Sequence, residues 1–301
     1  MRLRLALIAS LLAAPAMAQQ NAGGEGLANR IAAATDALSR YRVFNDGVWA
    51  SASGASIDDR RTGLSRKVTV RALQFGYDHN FLSPFTPYDA LLVGVAGSVL
   101  NASSRADAQN LQIDSKGYSV TGYGVYAPYV FLSFPVSVTV TRWSSDQTRD
   151  GTPLQPVYST NYKSTSWSSS VGAALTLPVW RFLMTTTLAH RYSDNKRPDY
   201  SEAINPLATD FVTTPSEITQ SSQLAGTFRL TLPTETGRVW VLAGYTYDIK
   251  RSPAEDTRSE FPLGLGADLI TRRWLVGVSG QAILREDITS YSGSFTGRLQ
   301  F

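Results

Sequence analysis

The sequence predicts an all-β membrane protein: a 12-stranded antiparallel outer-membrane β-barrel with a short N-terminal helix in its lumen. Three observations predict it. From Asp46 to Phe301 the chain alternates between apolar and polar residues with period two, as strands with two unlike faces require. The alternating segments run for about a dozen residues or more. That exceeds the roughly five or six of soluble strands and covers the roughly 9–11 that a tilted strand needs to cross a bilayer. The connections are mostly short at one end of the strands, and several are long and polar at the other, which is the pattern of outer-membrane barrels.

Composition narrows the classes. The chain has 301 residues, with 43% hydrophobic, 17% charged, 23 Gly and no Cys. It can bury a core, and its charge is too sparse for a disordered chain. Without cysteine there is no disulfide framework, no Cys-based metal site and no lipoprotein anchor. Past residue 18 no apolar run is long enough for a transmembrane helix.

The elements follow in order. Met1–Ala18 reads as a secretory signal. Arg2 and Arg4 precede the apolar Leu5–Ala14, Pro15 breaks the run, and Ala16-Met17-Ala18 offers a cleavage site before Gln19. Its removal takes two of the 28 basic residues and none of the 24 acidic ones, leaving a formal charge of +2. A nucleic-acid partner is therefore not expected. Residues 19–45 form a helix or plug segment. Within 27–41, Leu27, Ile31, Ala34 and Leu38 recur at helical spacing, with Arg30, Asp36 and Arg40 on the other faces.

Residues 46–301 form the barrel, with strands expected at 47–57, 66–79, 88–103, 113–127, 129–143, 163–177, 179–193, 217–232, 237–251, 259–271, 273–286 and 289–301. The last is the clearest: Tyr291, Gly293, Phe295, Gly297, Leu299 and Phe301 share one face, while Ser292, Ser294, Thr296, Arg298 and Gln300 share the other. In the second, Val68, Val70 and Ala72 share one face but Leu73, Phe75 and Tyr77 the other. A bulge near Ala72 and an apolar lumen both account for that switch. Long polar loops are expected at 144–162 and 194–216.

A soluble β-sandwich also alternates. Strand length argues against it, as do the Ser, Thr, Gln and Arg on the second face, which suit a wet lumen. Aromatics also gather towards strand ends (Tyr129, Trp143, Trp167, Trp180, Tyr192, Tyr247, Phe261, Trp274, Tyr291, Phe301), as interfacial girdles do. The run Asn45-Asp46-Gly47-Val48-Trp49, followed by Gly76-Tyr77-Asp78, Leu92–Gly97 and Gly122-Tyr123-Gly124-Val125-Tyr126, resembles the translocator barrel of autotransporters. Phe301, with Leu299 and Phe295 at alternate positions before it, resembles the C-terminal signal read by the barrel-assembly machinery. The resemblance covers roughly residues 25–301 and implies a twelve-stranded barrel with a helix inside the pore. Only about 27 residues separate the signal from the first strand. The expectation is therefore a solitary barrel without a passenger.

Chemistry is sparse. His190 lies near Ser193 and Asn195, the residue types used by outer-membrane phospholipases, but residues 190 and 193 of one strand point to opposite faces. His79 follows Asp78 at the expected periplasmic end, away from where an omptin-type pair would act. No hydrolase, metalloprotease or nucleotide motif is present, so no catalytic residue, metal or cofactor is expected. By parity Arg181, Arg191, Arg229, Arg238, Lys250, Arg285 and Arg298 point inward or to the rims, against Asp248, Glu260 and Asp268. That excess suggests a weakly positive pore; cross-lumen pairing, including with Glu25 and Asp36, would instead hold the helix as a plug. Arg142, Lys163, Arg191, Lys196, Arg197, Lys250 and Arg251 mark the outer rim, where lipopolysaccharide phosphates are expected partners. Three functions remain open: a channel or transport component, a plugged structural or surface-interaction barrel, and an outer-membrane hydrolase.

Overall fold

The computed structural model describes residues 31–32, 46–60, 65–106, 110–149, 158–203, 211–252 and 258–301. The expected signal segment and most of the expected 19–45 helix or plug segment, including Arg30, Asp36 and Arg40, lie outside the described residues.

Among the described residues fourteen strands are formed: β1 (Gly47–Asp59), β2 (Arg66–Leu82), β3 (Ala90–Ala106), β4 (Leu111–Tyr129), β5 (Leu132–Arg149), β6 (Tyr158–Val179), β7 (Phe182–Arg197), β8 (Tyr200–Ala203), β9 (Phe211–Thr214), β10 (Glu217–Pro233), β11 (Gly237–Ser252), β12 (Ser259–Ile270), β13 (Trp274–Arg285) and β14 (Ile288–Gln300). Twelve of them close an antiparallel barrel, and β8 and β9 make a separate hairpin. Closure leaves no unpaired edge. It is made by β1 and β14, whose register runs unbroken from Gly47↔Gln300 to Asp59↔Ile288.

The alternation maps onto two environments. Val136, Val138 and Val140 of β5 are exposed, while Ser133 and Thr141 are buried. Likewise Phe295 and Leu232 face out, and Ser294 and Thr231 face in. The apolar face is turned to lipid, and the polar face lines the interior. In β2, Val68 and Val70 are fully buried while Leu73 and Phe75 are exposed, and β2 keeps continuous register with both neighbours. The switch is therefore an apolar lumen and not a bulge. Ala55, Ile57, Val68, Val70, Ala72, Leu100 and Ala102 gather there with Trp143. Trp143 thus belongs to the interior and not to the aromatic girdle, because it lies one position out of phase with Val140 and Arg142 on β5.

Two loop expectations change. Most of 144–162 is strand, since β5 and β6 stay paired from Ser144↔Lys163 to Arg149↔Tyr158. The 194–216 stretch holds the β8–β9 hairpin. Four luminal rings each lie over a glycine directly opposite on a neighbouring strand: Trp49 over Gly76, Tyr123 over Gly94, Trp143 over Gly117 and Trp240 over Gly266. A Cβ at any of these glycines would collide with the ring.

Candidate functional site

The candidate site is the lumen, built from the inward faces of all twelve barrel strands. At the end that carries the short turns, Arg298 of β14 reaches across β1 to Asp78 of β2, Nη2 to Oδ1 at 2.7 Å. Both side chains are essentially excluded from solvent (1% and 0%). The crossing passes Gly47, where a Cβ would lie 2.9 Å from the Arg298 Cζ. Tyr123 donates its hydroxyl proton to Asp78 Oδ2 at 3.1 Å, and Trp49 Nε1 donates to the Tyr123 oxygen at 2.7 Å. On the opposite wall Arg238 pairs with Asp268, and the Arg229 guanidinium stands 4.3 Å over the Trp240 ring. A cavity of about 30 Å³ lies between Arg229, Trp240, Asp268 and Arg298, room for a water or two.

The wall beside this network is apolar. Trp49, Ala90, Leu92, Ala96, Tyr123, Val125 and Ala127 form a buried cluster, and Ile31 packs against it. Ile31 and Ala32, the described part of the expected 27–41 helix, are helical.

At the other end the charges pair again. Arg66 meets Asp59 at 3.2 Å. Arg285 bridges Glu260 at 3.1 Å and Asp248 at 3.4 Å, while Arg251 and Gln223 also donate to Asp248. Arg191 lies on the same luminal face and is coupled electrostatically to Glu260. Tyr200 of β8 stacks on Tyr162, ring centroids 4.9 Å apart, and is buried with Ala106, Leu111 and Ile113. Arg197 secures the base of that hairpin, donating to the Pro215 carbonyl at 3.0 Å and pairing with Glu217.

Arg191, Arg229, Arg238, Asp268, Arg285 and Arg298 therefore all lie on the luminal side. Arg181 instead sits in the exposed β6–β7 turn, 5.1 Å over the Trp180 ring. Lys250 is turned out to the rim, because the β10–β11 register shifts so that Ser222 pairs with Lys250 but Gln223 with Asp248. The extra residue, Ile249, reverses the parity, so Arg251 enters the lumen instead. Sequence parity passed over Asp59, Arg66 and Asp78. The first two lie beyond or at the edge of the expected segments, and Asp78 shares its face with the ambiguous Val68 and Val70.

At the mouth beside Arg298, Asp46 accepts the Asn80 amide at 3.0 Å and lies 2.5 Å from His79 Nδ1. The Asn80 amide holds its carboxyl below the usual value against partial burial, with His79 and Arg298 assisting. His190 Nε2 is 2.8 Å from Ser222 Oγ on the outward face, whereas Ser193 bonds Ser221. The partner of His190 thus lies on the adjacent strand, where spacing along one strand could not reveal it.

The family model described as "Autotransporter beta-domain" matches residues 48–293. The chain belongs to the autotransporter β-domain family. Its fold is shared with the translocator domain of autotransporter NalP from Neisseria meningitidis, at 12% identity and TM-score 0.77, covering 93% of this chain and 96% of that one. The β-domain of the Bordetella autotransporter BrkA matches at 14% identity and TM-score 0.71, covering 86% and 100%. A monoaromatic hydrocarbon channel, CymD, matches at 9% identity and TM-score 0.51, covering 94% and 93%. No curated protein matches by sequence. An autotransporter barrel places this chain in the bacterial outer membrane.

Proposed function

We propose that this autotransporter-type barrel is a transport component whose pore is closed at rest by its own N-terminal segment. The observation that carries the reading is the apolar luminal cluster around Trp49 and Tyr123, on which helical Ile31 rests. A water-filled pore would leave such a wall wet, at a cost of roughly 25 cal/mol per Å². Paired luminal charges leave only a weak anion preference for the opened state. The barrel is assigned no catalytic step. Removal of a leader near Ala18 and contact with lipopolysaccharide belong to the same proposal.

Planar-bilayer recordings of the full mature chain and of a chain lacking residues 19–45 test it. The full chain should show rare openings, and the truncated chain steady ones. Steady conductance from the full chain, or silence from both when folded, would sink the reading. A second reading, a surface-interaction barrel, draws on the β8–β9 hairpin, whose Tyr200 is anchored at the mouth.

Insertion by the barrel-assembly machinery gives another test. Phe301 is exposed, its amide held by the Asp46 carbonyl at 3.1 Å; Leu299 and Phe295 lie on the same outward face. Deleting Phe301, or replacing Leu299 with Asp, should sharply lower the amount of heat-modifiable barrel in outer-membrane fractions. Unchanged levels would remove the assembly-signal role.

A further inference from the structure

The outward face carries its own charge pattern, with exposed cations denser on one side. On β2, β4 and β5 the first outward residue beyond the apolar band is basic: Arg71 follows Leu73, Lys116 follows Tyr118, and Arg142 follows Val140. On β6 and β7 a basic residue stands four positions beyond the last aromatic: Lys163 beyond Trp167, and Lys196 beyond Tyr192. All five side chains are exposed, and none has an ion-pair partner among the described residues. Acidic neighbours on this face are already engaged. Asp114 and Asp146, one row further out, accept Gln112 and Asn161, and buried Asp194 accepts Gln220.

The remaining wall differs. Beyond the apolar band it presents Ser222 on β10, Lys250 on β11, Ser259 on β12 with exposed Arg258 just before it, Glu286 after β13, Thr289 on β14, and Gly54, Ser56 and Asp58 on β1. Arg60 follows Asp58 and is paired with it, so the cations on this side are fewer and more widely spread.

Strands lie about 4.8 Å apart, so the basic arc from β2 to β7 spans about 24 Å. Neighbouring charges within it fall inside one Debye length of about 10 Å, so they repel unless anions lie between them. It occupies the long-loop end of the barrel, which faces the outer leaflet. Directly below it lie apolar side chains such as Phe75, Val120 and Val140, all exposed. A ligand that matches both parts carries several phosphates at headgroup depth and several acyl chains beneath them.

We propose that the outward face of β2–β7 is a docking surface for lipopolysaccharide. Its lipid A phosphates are held by Arg71, Lys116, Arg142, Lys163 and Lys196, and its acyl chains lie against the apolar band below. The inference rests on the outer-membrane placement and the lipopolysaccharide contact proposed above, and replaces the rim as the contact with this one face. Arg191, Arg197 and Arg251 take no part, since they are turned inward.

The test uses the full chain folded in detergent micelles. It is titrated separately with bis-phosphorylated lipid A, dephosphorylated lipid A and phosphatidylglycerol, and binding is read by native mass spectrometry and by the rise in Tm. Bis-phosphorylated lipid A should bind at least about tenfold more tightly than either other lipid. The variant R71Q/K116Q/R142Q/K163Q/K196Q should lose that preference, whereas R60Q/K250Q/R258Q, altered on the other side, should keep it. A double reversal, K116E/R142E, should reproduce the loss with fewer changes, and heat-modifiable migration reports folding in every case. Unchanged binding by the arc variants would overturn the proposal. Equal binding of phosphatidylglycerol would overturn it too, by assigning the arc to anionic bilayer lipid in general. Because no pore current is measured, failure here is separate from failure of the gated-pore reading.

Discussion

Asp78→Ala will lower the stability of the barrel by about 3–5 kcal/mol, the usual cost of removing one partner of a buried ion pair. The Arg298 guanidinium is itself buried (1% exposed), so bulk solvent does not replace the carboxylate. The Tyr123 hydroxyl loses its acceptor in the same step. Asp78→Asn should cost less, because the amide oxygen still accepts one hydrogen bond. Denaturant unfolding in lipid vesicles, followed by tryptophan fluorescence, measures both. A loss below about 1 kcal/mol for the alanine variant would show that the pair is wet and the lumen open at that level. The pair joins β14 to β2 across β1, so its loss should loosen the closing seam first.

Val138→Arg will cost about 2–4 kcal/mol, the range for a cation on the lipid face near the bilayer midplane. Val138 is half exposed in the middle of β5, four residues from Phe134 towards one interface and four from Arg142 towards the other. Val138→Leu is the control and should change little, since both side chains suit hydrocarbon. Equal stability of the arginine and leucine variants would mean that β5 does not face lipid.

The barrel was legible because lipid and lumen impose opposite demands on alternate residues. Ser133 to Val140 shows this without ambiguity. Legibility failed where a side chain's environment departs from its type. Val68 and Val70 are apolar yet luminal, so period two survived but its meaning was uncertain. Ile249 shows the converse: one extra residue sends Arg251 inward and Lys250 outward, and no composition rule marks where a bulge falls. The extension of β5 and β6 was hidden because residues 144–149 are polar on both faces, although the inward face there is buried, with Tyr162 and Gln147 under the β8–β9 hairpin. The candidate site suffered most, because its parts meet across the barrel. Arg298 and Asp78 are far apart along the chain, and register alone brings them together.

The four rings laid over glycines have a consequence for how the barrel acquires that register. Sliding β1 by two residues against β2 would keep every face correct, but would bring Trp49 against Gln74 or Asp78 instead of Gly76. The same slip would set Tyr123 against Leu92 or Ala96, and Trp143 against Ser115 or Ser119. Each ring then meets a side chain where it needs bare backbone. Alternation tells a strand which way to face, but is blind to even-numbered slips. The ring-and-glycine pairs act as a set of keys cut for one alignment, so the circumference and slant of the closed cylinder are written into a few single positions.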